Sequence, residues 1–391
     1  MPNSTYSGPP NPKILIVGEA WGADEARVRK PFIGASGQEL WRMLGEALPD
    51  IAPQLHYRAA ELCQPRYGYA WLRYRDPWLE ATQIGFTNVF NEHPSNNLLD
   101  NLCTIKANAI PSKPALSSGK YIDQKHQRHL DRLLGEVQTL KPNLVVAAGN
   151  SACWAFLNTT GITALRGTTS WSQWANIKVL PTLHPAYILR DWSQRTVLIS
   201  DLIKAHRESE YPQIIRPSRS ITINPTLDDV RFWIYKVIHH PPARLAIDIE
   251  TSGGIIDTIG FASSPSDALV VPFGPHRYRR GTGYIIVKPR RNGVETISYW
   301  TPEEERTVWT LIGQLLSSST PKVFQNGVYD LQYLIRAGFT INNLADDTML
   351  AWHALFPEMP KSLGFLGSVL TNESAWKLLA RQKGDTQSRD K

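Results

Sequence analysis

A short apolar run that leads directly into a glycine-rich loop is the feature that most constrains the fold of this chain. Residues 13–17 (KILIV) are mostly aliphatic, and the loop GEAWG, residues 18–22, follows at once. Such a run is typical of a buried strand in a parallel sheet. Ligands of open α/β sheets bind beyond the carboxyl ends of the strands, so Glu19, between two glycines at such an end, is a candidate site residue.

The segment PFIGASG, residues 31–37, adds an aromatic ring and further glycines just before a predicted helix. A flat ring beside exposed backbone amides suits a nucleobase and its phosphates. Ser36 and Glu39 have the spacing of a capping box, and apolar residues then repeat at helical spacing up to residue 47. The alternative remains that the glycines only form turns, that Phe32 belongs to the core and that Ser36 only caps the helix.

Three further strands and two further helices are predicted, the strands at residues 85–90, 142–149 and 177–182 and the helices at residues 124–139 and 151–158. Asn88 lies in the first of these strands, and His184 closely follows the last. The carboxyl ends of parallel strands meet at one edge of a sheet. We therefore expect Glu19, Asn88 and His184 to converge there.

The composition favours a nucleic-acid partner. The formal net charge is +7 and the isoelectric point is near 9.2, which favours association with a polyanion. Many of the 13 Trp and 14 Tyr residues lie among arginines, as in proteins that combine base stacking with phosphate contacts. At 391 residues, the chain is expected to form two or three domains.

The cysteine pattern argues against two classes of structure. Cys63, Cys103 and Cys153 show no CxxC spacing, so the sequence favours neither a disulfide framework nor a four-cysteine metal site. The first residues lack the apolar segment of a signal peptide, and no segment approaches the ~20 apolar residues of a membrane span. These features predict a cytoplasmic protein with no membrane partner.

Five motifs, in order along the chain, resemble the uracil-DNA glycosylase superfamily: GEAWG, PFIGASG, TNVFNEHPSNN, PNLVVAAGN and TLHPAYILR. They cover about residues 13–205 and are nearest to the iron-sulfur branch called family four. The resemblance implies an α/β/α sandwich with a four-stranded parallel sheet. It also implies hydrolysis of the N-glycosidic bond of deoxyuridine in single-stranded or uracil-containing DNA.

The resemblance also implies roles for individual residues. Glu19 and the backbone of Gly18 and Ala20 would line the site near the attacking water, and Phe32 would stack on uracil. Asn88 would read the polar edge of the base, and His184 would stabilise the departing base as an oxyanion hole does. Arg166, in the motif LRG, resembles a family element that contacts DNA.

The sequence also departs from the iron-sulfur branch. Glu92 and His126 stand where that branch carries cysteines, and the first residues lack a CxxC motif, so no iron-sulfur cluster is expected. Ala20 occupies a position at which other branches keep a water-activating aspartate, and Trp21 one that is usually proline.

The second half begins with a predicted linker rich in Pro, Ser and Arg at residues 208–225, followed by a helix at residues 226–238 with a cap formed by Thr226 and Asp229. The strand LAIDIET, residues 245–251, then places Asp248 and Glu250 on the same side. Two such carboxylates repel each other unless a cation lies between them, and Mg²⁺ or Mn²⁺ suits oxygen ligands.

The motifs DIET, NGVYD and DDTM resemble the proofreading 3′-5′ exonuclease domain of family A DNA polymerases, of the DEDD group, across about residues 240–380. This resemblance implies a ribonuclease H-like mixed sheet with two metal ions. Asp248, Glu250 and Asp330 match the first three ligands, and Asp347 matches a supporting position. The expected fourth aspartate is not matched, because Asp385 and Asp390 lie in a polar tail without the required spacing.

Together, these patterns predict three segments: a glycosylase-like domain at residues 1–210, a linker and helix at 211–240, and an exonuclease-like domain at 241–391. A phage-like enzyme that excises uracil and trims 3′ ends is one interpretation. The other is a catalytically weak or inactive DNA-binding module that assists a DNA polymerase. Two basic and aromatic stretches could contact DNA. The alternative for residues 49–83 is a surface excursion with its own small core, and for residues 276–291 it is a solvated hairpin.

Overall fold

The computed structural model describes residues 5–49, 82–273 and 298–373, together with two short strands between the last two ranges. The chain divides into two compact units, Met1–Arg216 with Gly364–Lys391, and Pro217–Leu363. Residues 50–81 of the first predicted DNA-contacting stretch lie outside the described residues, as do the side chains of the second. No helix among the described residues is both long and apolar enough to cross a membrane.

The first unit contains seven strands: β1 (Ile14–Ala20), β2 (Ile84–Phe90), β3 (Cys103–Thr104), β4 (Tyr121–Ile122), β5 (Leu144–Ala148), β6 (Ser170–Ser172) and β7 (Ile177–Thr182). Five of them form a sheet with the order β2-β1-β5-β7-β6, and β3 pairs with β4. The four predicted parallel strands are present. The predicted count of four is too low, because β6 adds a short antiparallel edge strand that lacks an apolar run.

The helices of the first unit are α1 (Ala23–Val28), α2 (Ala35–Ala47), α3 (Gln127–Leu140), α4 (Asn150–Leu157), α5 (Ile162–Leu165), α6 (Pro185–Ile188) and α7 (Arg195–Glu208). Short 3₁₀ turns occur at Ser95–Asn97, Leu99–Leu102, Lys106–Asn108, Gln124–His126 and Trp192–Gln194. Alternate residues of β1 pack into two different cores. Leu15 and Val17 join the core of α3 and α4, whereas Ile14 and Ile16 join the core of α2 and α7. This two-sided burial explains the continuous apolar run.

The predicted capping box at the start of α2 is wrong. The N-cap of α2 is Gly34, and no side chain caps it. Ser36 already lies inside the helix. Glu39 is buried, and it accepts hydrogen bonds from Arg42 (3.1 Å) and Arg195 (2.7 Å) instead of a backbone amide at the helix start.

The strands of the second unit are β8 (Ser220–Thr222), β9 (Leu245–Ser252), β10 (Ile255–Ser264), β11 (Asp267–Pro272), β12 (Arg279–Arg280), β13 (Gly283–Tyr284), β14 (Lys322–Phe324) and β15 (Leu344–Asp347). Six of them form a mixed sheet with the order β15-β14-β9-β10-β11-β8. Strands β9, β10 and β11 are antiparallel neighbours, and β14 and β15 continue the sheet in parallel with β9.

The helices of the second unit are α8 (Leu227–His239), α9 (Pro302–Ser317), α10 (Val328–Arg336) and α11 (Thr348–Leu355). The capping box predicted for α8 is confirmed, with Thr226 and Asp229 bonding each other's backbone amides. In β9, Ile247 and Ile249 are buried in the core, and Asp248 and Glu250 are exposed on the opposite face, as the alternation predicted.

The last described helix, α12 (Leu363–Leu370), belongs to the first unit from Gly364 onward. Lys204 is buried on α7, and its ammonium group donates hydrogen bonds to the carbonyls of Gly167 (2.6 Å) and Ser368 (2.7 Å). Burial lowers the pKa of Lys204 to about 8. These bonds join the end of α12 to the segment between α5 and β6.

A buried ion pair stabilises the same region. Arg166 donates to both carboxylate oxygens of Asp201, with its Nε 2.9 Å from Oδ2, and Thr182 also donates to that oxygen (2.7 Å). Arg166 is only 6% exposed and Asp201 1%. The guanidinium also lies over the ring of Phe365, 4.7 Å from its centroid.

The Arg166→Met variant should lower the free energy of unfolding of the first unit by about 3–5 kcal/mol, because it leaves the Asp201 carboxylate buried without its cation. Urea unfolding followed by tryptophan fluorescence measures this change. Arg27→Met is the matched control, since Arg27 pairs with Asp24 on the surface, and its effect should stay within about 1 kcal/mol. Equal losses in the two variants would contradict the assignment.

Candidate active site

Two neighbouring strands bring the first candidate residues together. Gly18 on β1 pairs with Asn88 on β2. A Cβ atom at Gly18 would lie 2.3 Å from Asn88 Oδ1 and 2.7 Å from Phe32 Cζ, closer than real Cβ atoms approach other atoms. The bare backbone at Gly18 therefore lets the Asn88 amide and the Phe32 ring meet over the end of β1.

Asn88 is held through its backbone. The Arg132 guanidinium donates to the carbonyl oxygens of Asn88 (2.5 Å) and Val89 (2.9 Å), and Arg132 is itself paired with Glu136 (2.8 Å). The Asn88 side chain is 3% exposed. Since the positioning bonds use the main chain, the side-chain amide is directed at Gly18 and Phe32 and can bind a ligand.

The loop that carries Phe32 is organised by Glu25. One oxygen of this buried carboxylate accepts hydrogen bonds from the backbone N–H groups of Ile33 (3.2 Å) and Gly34 (2.8 Å). Phe32 itself adopts a left-handed backbone conformation with a φ of 56°. This conformation is costly for a bulky residue and is typical of functional positions. Trp41 donates its indole N–H to the Phe32 carbonyl (3.3 Å) and helps to hold it.

His184 lies just beyond the end of β7 and caps α6. Its Nδ1 accepts a hydrogen bond from the Ala186 backbone N–H (3.2 Å). In the neutral imidazole, the proton therefore lies on Nε2. The rings of Phe32 and His184 lie 6.4 Å apart between centroids, with planes inclined by 28°. Gly149 backs His184, since a Cβ there would lie 3.0 Å from the His184 Cβ.

The side chain of Glu19 is held by a hydrogen bond from α4. The Ser151 hydroxyl, at the start of α4, donates to Glu19 Oε2 at 2.5 Å. Glu19 is half-buried, and Ser151 is fully buried. A single edge of the sheet therefore collects the carboxylate, the amide, the phenyl ring and the imidazole, as the sequence predicted for Glu19, Asn88 and His184.

Burial lowers the pKa of His184 below its ordinary value, and the positive charge of Arg190 acts in the same direction. The carboxylates of Glu19 and Glu25 oppose this shift. His184 is therefore neutral at pH 7, with an Nε2–H that can donate to a developing anion. Such a preorganised donor in a buried site is a strong source of transition-state stabilisation.

The sequence profile of the uracil DNA glycosylase superfamily matches residues 5–206, slightly more than half of the chain. The chain belongs to the uracil DNA glycosylase superfamily. It is 25% identical to the type-4 uracil-DNA glycosylase of Thermotoga maritima over 198 residues, which make up 49% of this chain and 76% of the relative. It is 26% identical to the type-4 enzyme of Sulfurisphaera tokodaii over 205 residues, or 50% and 70% of the two chains.

In this uracil DNA glycosylase superfamily member, two residues that the sequence predicts to contact the substrate, Ala20 and Arg166, lie in different environments. Ala20 ends β1, pairs with Phe90 and is half-buried beside Glu19. Arg166 was predicted to contact DNA, but the structure places it in the buried pair with Asp201. Its guanidinium is already bonded, so we correct its assignment from a DNA contact to a structural role.

Three residues that support the site were missed in the sequence: Glu25, Arg132 and Ser151. Each of them contacts a segment that is distant along the chain or on the other side of a loop. No local sequence spacing therefore indicates its role. Glu25 lies three residues after Gly22, and a Cβ at that glycine would lie 2.6 Å from Glu25 Oε2. The two glycines flanking the Glu25 carboxylate, Gly22 and Gly34, are the one signal that could have indicated its position.

The donor set does not suit an iron-sulfur cluster, which is held mainly by cysteine thiolates. Of the described residues, only Cys103 and Cys153 are cysteines, and Cys153 lies on α4 with its side chain buried in the core. Glu92 and His126 offer a carboxylate and an imidazole in place of thiolates. Burial also raises the pKa of Cys153 to about 12, which keeps it a thiol.

The predicted metal ligands of the second unit lie in different environments. Asp248 and Glu250 are exposed, whereas Asp330 is buried and its Oδ1 accepts the Ile249 backbone N–H at 2.9 Å. Burial and the nearby charges of Asp248 and Asp347 raise the pKa of Asp330 to about 6. Within the described part of the chain, these three residues do not form a group of ligand atoms within 4.8 Å of one another.

Asp347, the predicted supporting residue, has a structural task. Its two oxygens accept hydrogen bonds from the backbone N–H groups of Asn326 (3.1 Å), Gly327 (2.7 Å), Met349 (2.8 Å) and Leu350 (3.3 Å). Burial alone would raise its pKa, but these bonds lower it overall. Asp347 therefore caps α11 and fixes the turn that begins α10.

His184 should titrate below ~6.5, the ordinary pKa of histidine, and Glu19→Gln should lower its pKa further, because that variant removes a carboxylate that favours the imidazolium. Nitrogen-detected NMR of the imidazole, assigned by comparison with His184→Gln, measures both values. His184 binds its proton at a higher pH in the unfolded state than in the folded state. The free energy of unfolding should therefore decrease as the pH falls through ~6.5 towards the folded-state pKa. A pKa that rises in Glu19→Gln would contradict the arrangement.

Proposed function

We propose that this chain is a uracil-DNA glycosylase that hydrolyses the N-glycosidic bond of deoxyuridine in DNA. The proposal rests mainly on the convergence of Glu19, Asn88 and His184 at one edge of the parallel sheet of a superfamily member. The two type-4 uracil-DNA glycosylases support it by their similarity over about half of this chain. Neither the motifs nor the fold alone would assign this substrate.

A base within a duplex is out of reach of these groups, so the deoxyuridine must leave the stack and enter the cleft. The Phe32 ring would stack on the extruded base. The Asn88 amide would donate to uracil O4 and accept from N3–H, a pattern that cytosine inverts. Because Asn88 and Phe32 meet above Gly18, a single base would contact both at once.

In the reaction, the bond between C1′ and N1 breaks, and its electron pair passes to the uracil ring, with negative charge on O2. The His184 Nε2–H would donate a hydrogen bond to that oxygen and stabilise the leaving anion. Water adds to C1′ and loses a proton, for which the Glu19 carboxylate is a candidate acceptor. Ser151 donates to Oε2 of Glu19 and so keeps this carboxylate oriented.

His184→Ala should lower the rate of uracil excision by about 10²–10³-fold, because one donor to the developing oxyanion is lost. A gel assay on a single-stranded oligonucleotide with one uracil detects the abasic site by alkaline cleavage. His206→Ala is the matched control. His206 lies on α7, outside the candidate active site, and this variant should retain wild-type activity. Absence of alkali-labile product with the wild-type chain would contradict the proposed function.

We further propose that the second unit is an exonuclease-like domain that binds DNA, as an accessory to a DNA polymerase in a phage-like replication system. The sheet order β15-β14-β9-β10-β11, with three antiparallel and two parallel strands, is that expected of a ribonuclease H-like fold. The exposed pair Asp248 and Glu250 on β9 also supports it. Mg²⁺ or Mn²⁺ is the ion that these oxygen ligands would hold. Because the sequence matches no fourth aspartate, and because ligand atoms of the three carboxylates do not lie within 4.8 Å of one another, we expect weak or no hydrolysis.

A 5′-labelled, uracil-free oligonucleotide tests this second proposal separately from base excision. With Mg²⁺ or Mn²⁺, the wild-type chain should bind the strand and shorten it slowly or not at all, and any shortening should disappear in Asp248→Ala. Gel shift and product length are the two measurements. Rapid shortening by the wild type would contradict weak hydrolysis, and failure to bind would contradict the accessory role.

A further inference from the structure

A carboxylate and two imidazoles form a compact cluster on the first unit, beyond the carboxyl end of β2. Glu92 follows that strand, His126 ends the turn before α3, and His129 lies on the first turn of α3. Glu92 Oε1 lies 3.0 Å from His126 Nδ1, and Glu92 Oε2 lies 3.1 Å from His129 Nε2. One ligand atom from each of the three residues lies within 4.8 Å of the other two.

The surroundings of His126 distinguish this cluster from an ordinary hydrogen-bonded one. His126 is only 4% exposed, and within the described residues neither of its ring nitrogens has a hydrogen-bond partner of normal geometry. Buried polar atoms are nearly always satisfied, because burial without a partner is costly. His126 Nδ1 nevertheless lies close to the Glu92 carboxylate, so a cation held between the two groups would satisfy both.

We propose that Glu92, His126 and His129 bind a divalent transition-metal ion of the zinc class. Two imidazoles and one carboxylate are a known ligand set for Zn²⁺, with solvent in the remaining position. Bonds of 2.0–2.2 Å in a tetrahedral site separate neighbouring ligand atoms by about 3.3 Å. The separations of 3.0 and 3.1 Å within the cluster involve the two different oxygens of Glu92, so the carboxylate would turn to present one oxygen to the ion.

Two further contacts show what the bound ion must displace. Arg128 donates to Glu92 Oε2 at 3.1 Å, and the Asn91 backbone N–H donates to His129 Nδ1 at 3.3 Å. A neutral imidazole that binds metal through Nε2 carries its proton on Nδ1. Metal binding must therefore release the Asn91 N–H from His129, which gives the site a local spectroscopic signature.

The bound ion would stabilise segments next to the candidate active site without being part of that site. The Glu92 carbonyl accepts the Trp21 backbone N–H (3.2 Å), which ties the loop after β1 to the segment after β2. Asn88 lies on β2 four residues before Glu92. The proposal is independent of base excision, because it concerns binding and stability and can be tested without a DNA substrate.

Equilibrium titration of the full chain with Zn²⁺ and with Co²⁺, preceded by chelation and dialysis, tests the site. The wild type should bind one equivalent, shift its thermal midpoint upward with Zn²⁺, develop visible Co²⁺ absorption and shift the Asn91 amide resonance. His126→Ala and His129→Ala should each weaken binding by at least about 100-fold, since losing even an outer-shell partner costs 10–100-fold.

Glu92→Gln is a nearly isosteric second variant, which keeps the test decisive if a histidine variant fails to fold, and it should also lose the Co²⁺ absorption. His93→Ala is the matched control: His93 is exposed next to Glu92 and should leave binding unchanged. Wild-type protein that binds neither ion, or ligand variants that bind as tightly as the wild type, would overturn the proposal.

Discussion

The candidate site depends on the close approach of three segments at Gly18. A side chain at this position would overlap both the Asn88 amide and the Phe32 ring. The approach can be maintained because β1 is buried on both faces and hydrogen-bonded to β2 and β5. A strand held in this way cannot shift without disturbing two cores. The functional groups at the end of β1 are therefore held in place by the sheet. A site that acts by preorganisation needs such fixed positions.

The charged residues around the site mainly organise the protein. Arg132 holds the end of β2 through backbone carbonyls, Arg166 neutralises buried Asp201, and Arg195 pairs with Glu39 and Glu46. These guanidinium groups are engaged, so they are poor candidates for phosphate contacts. The net charge of +7 favours a polyanionic partner, but it does not identify the contacting residues, because several arginines are used internally.

The two candidate metal-binding regions contrast in their physical chemistry. In the second unit, Asp248 and Glu250 are solvated, and Asp330 is buried and engaged by a backbone amide. In the first unit, Glu92 lies between two buried imidazoles, one of which has unsatisfied nitrogens. Imidazole and carboxylate suit a zinc-class ion, whereas thiolates suit an iron-sulfur cluster. The substitutions that remove the cluster ligands thus leave a different and chemically coherent donor set.

The sequence by itself determined most of the first sheet and indicated its candidate site residues. Apolar runs buried on both faces located the four parallel strands, and the order of five motifs indicated the superfamily. The strand alternation placed Asp248 and Glu250 on one exposed face, and the spacing of Thr226 and Asp229 predicted the cap of α8. These features are local, because a period of two residues or a capping pair is set by adjacent backbone geometry.

The tertiary structure alone decided which groups are free to act. It placed Arg166 in a buried ion pair and added β6 as an antiparallel edge strand. It showed that Glu39 pairs with Arg195 instead of capping a helix. It also showed that Glu25, Arg132 and Ser151 position the site, and that Glu92 meets two histidines more than thirty residues away along the chain. Such contacts join segments that are distant in sequence, and their partners depend on packing that no local pattern encodes.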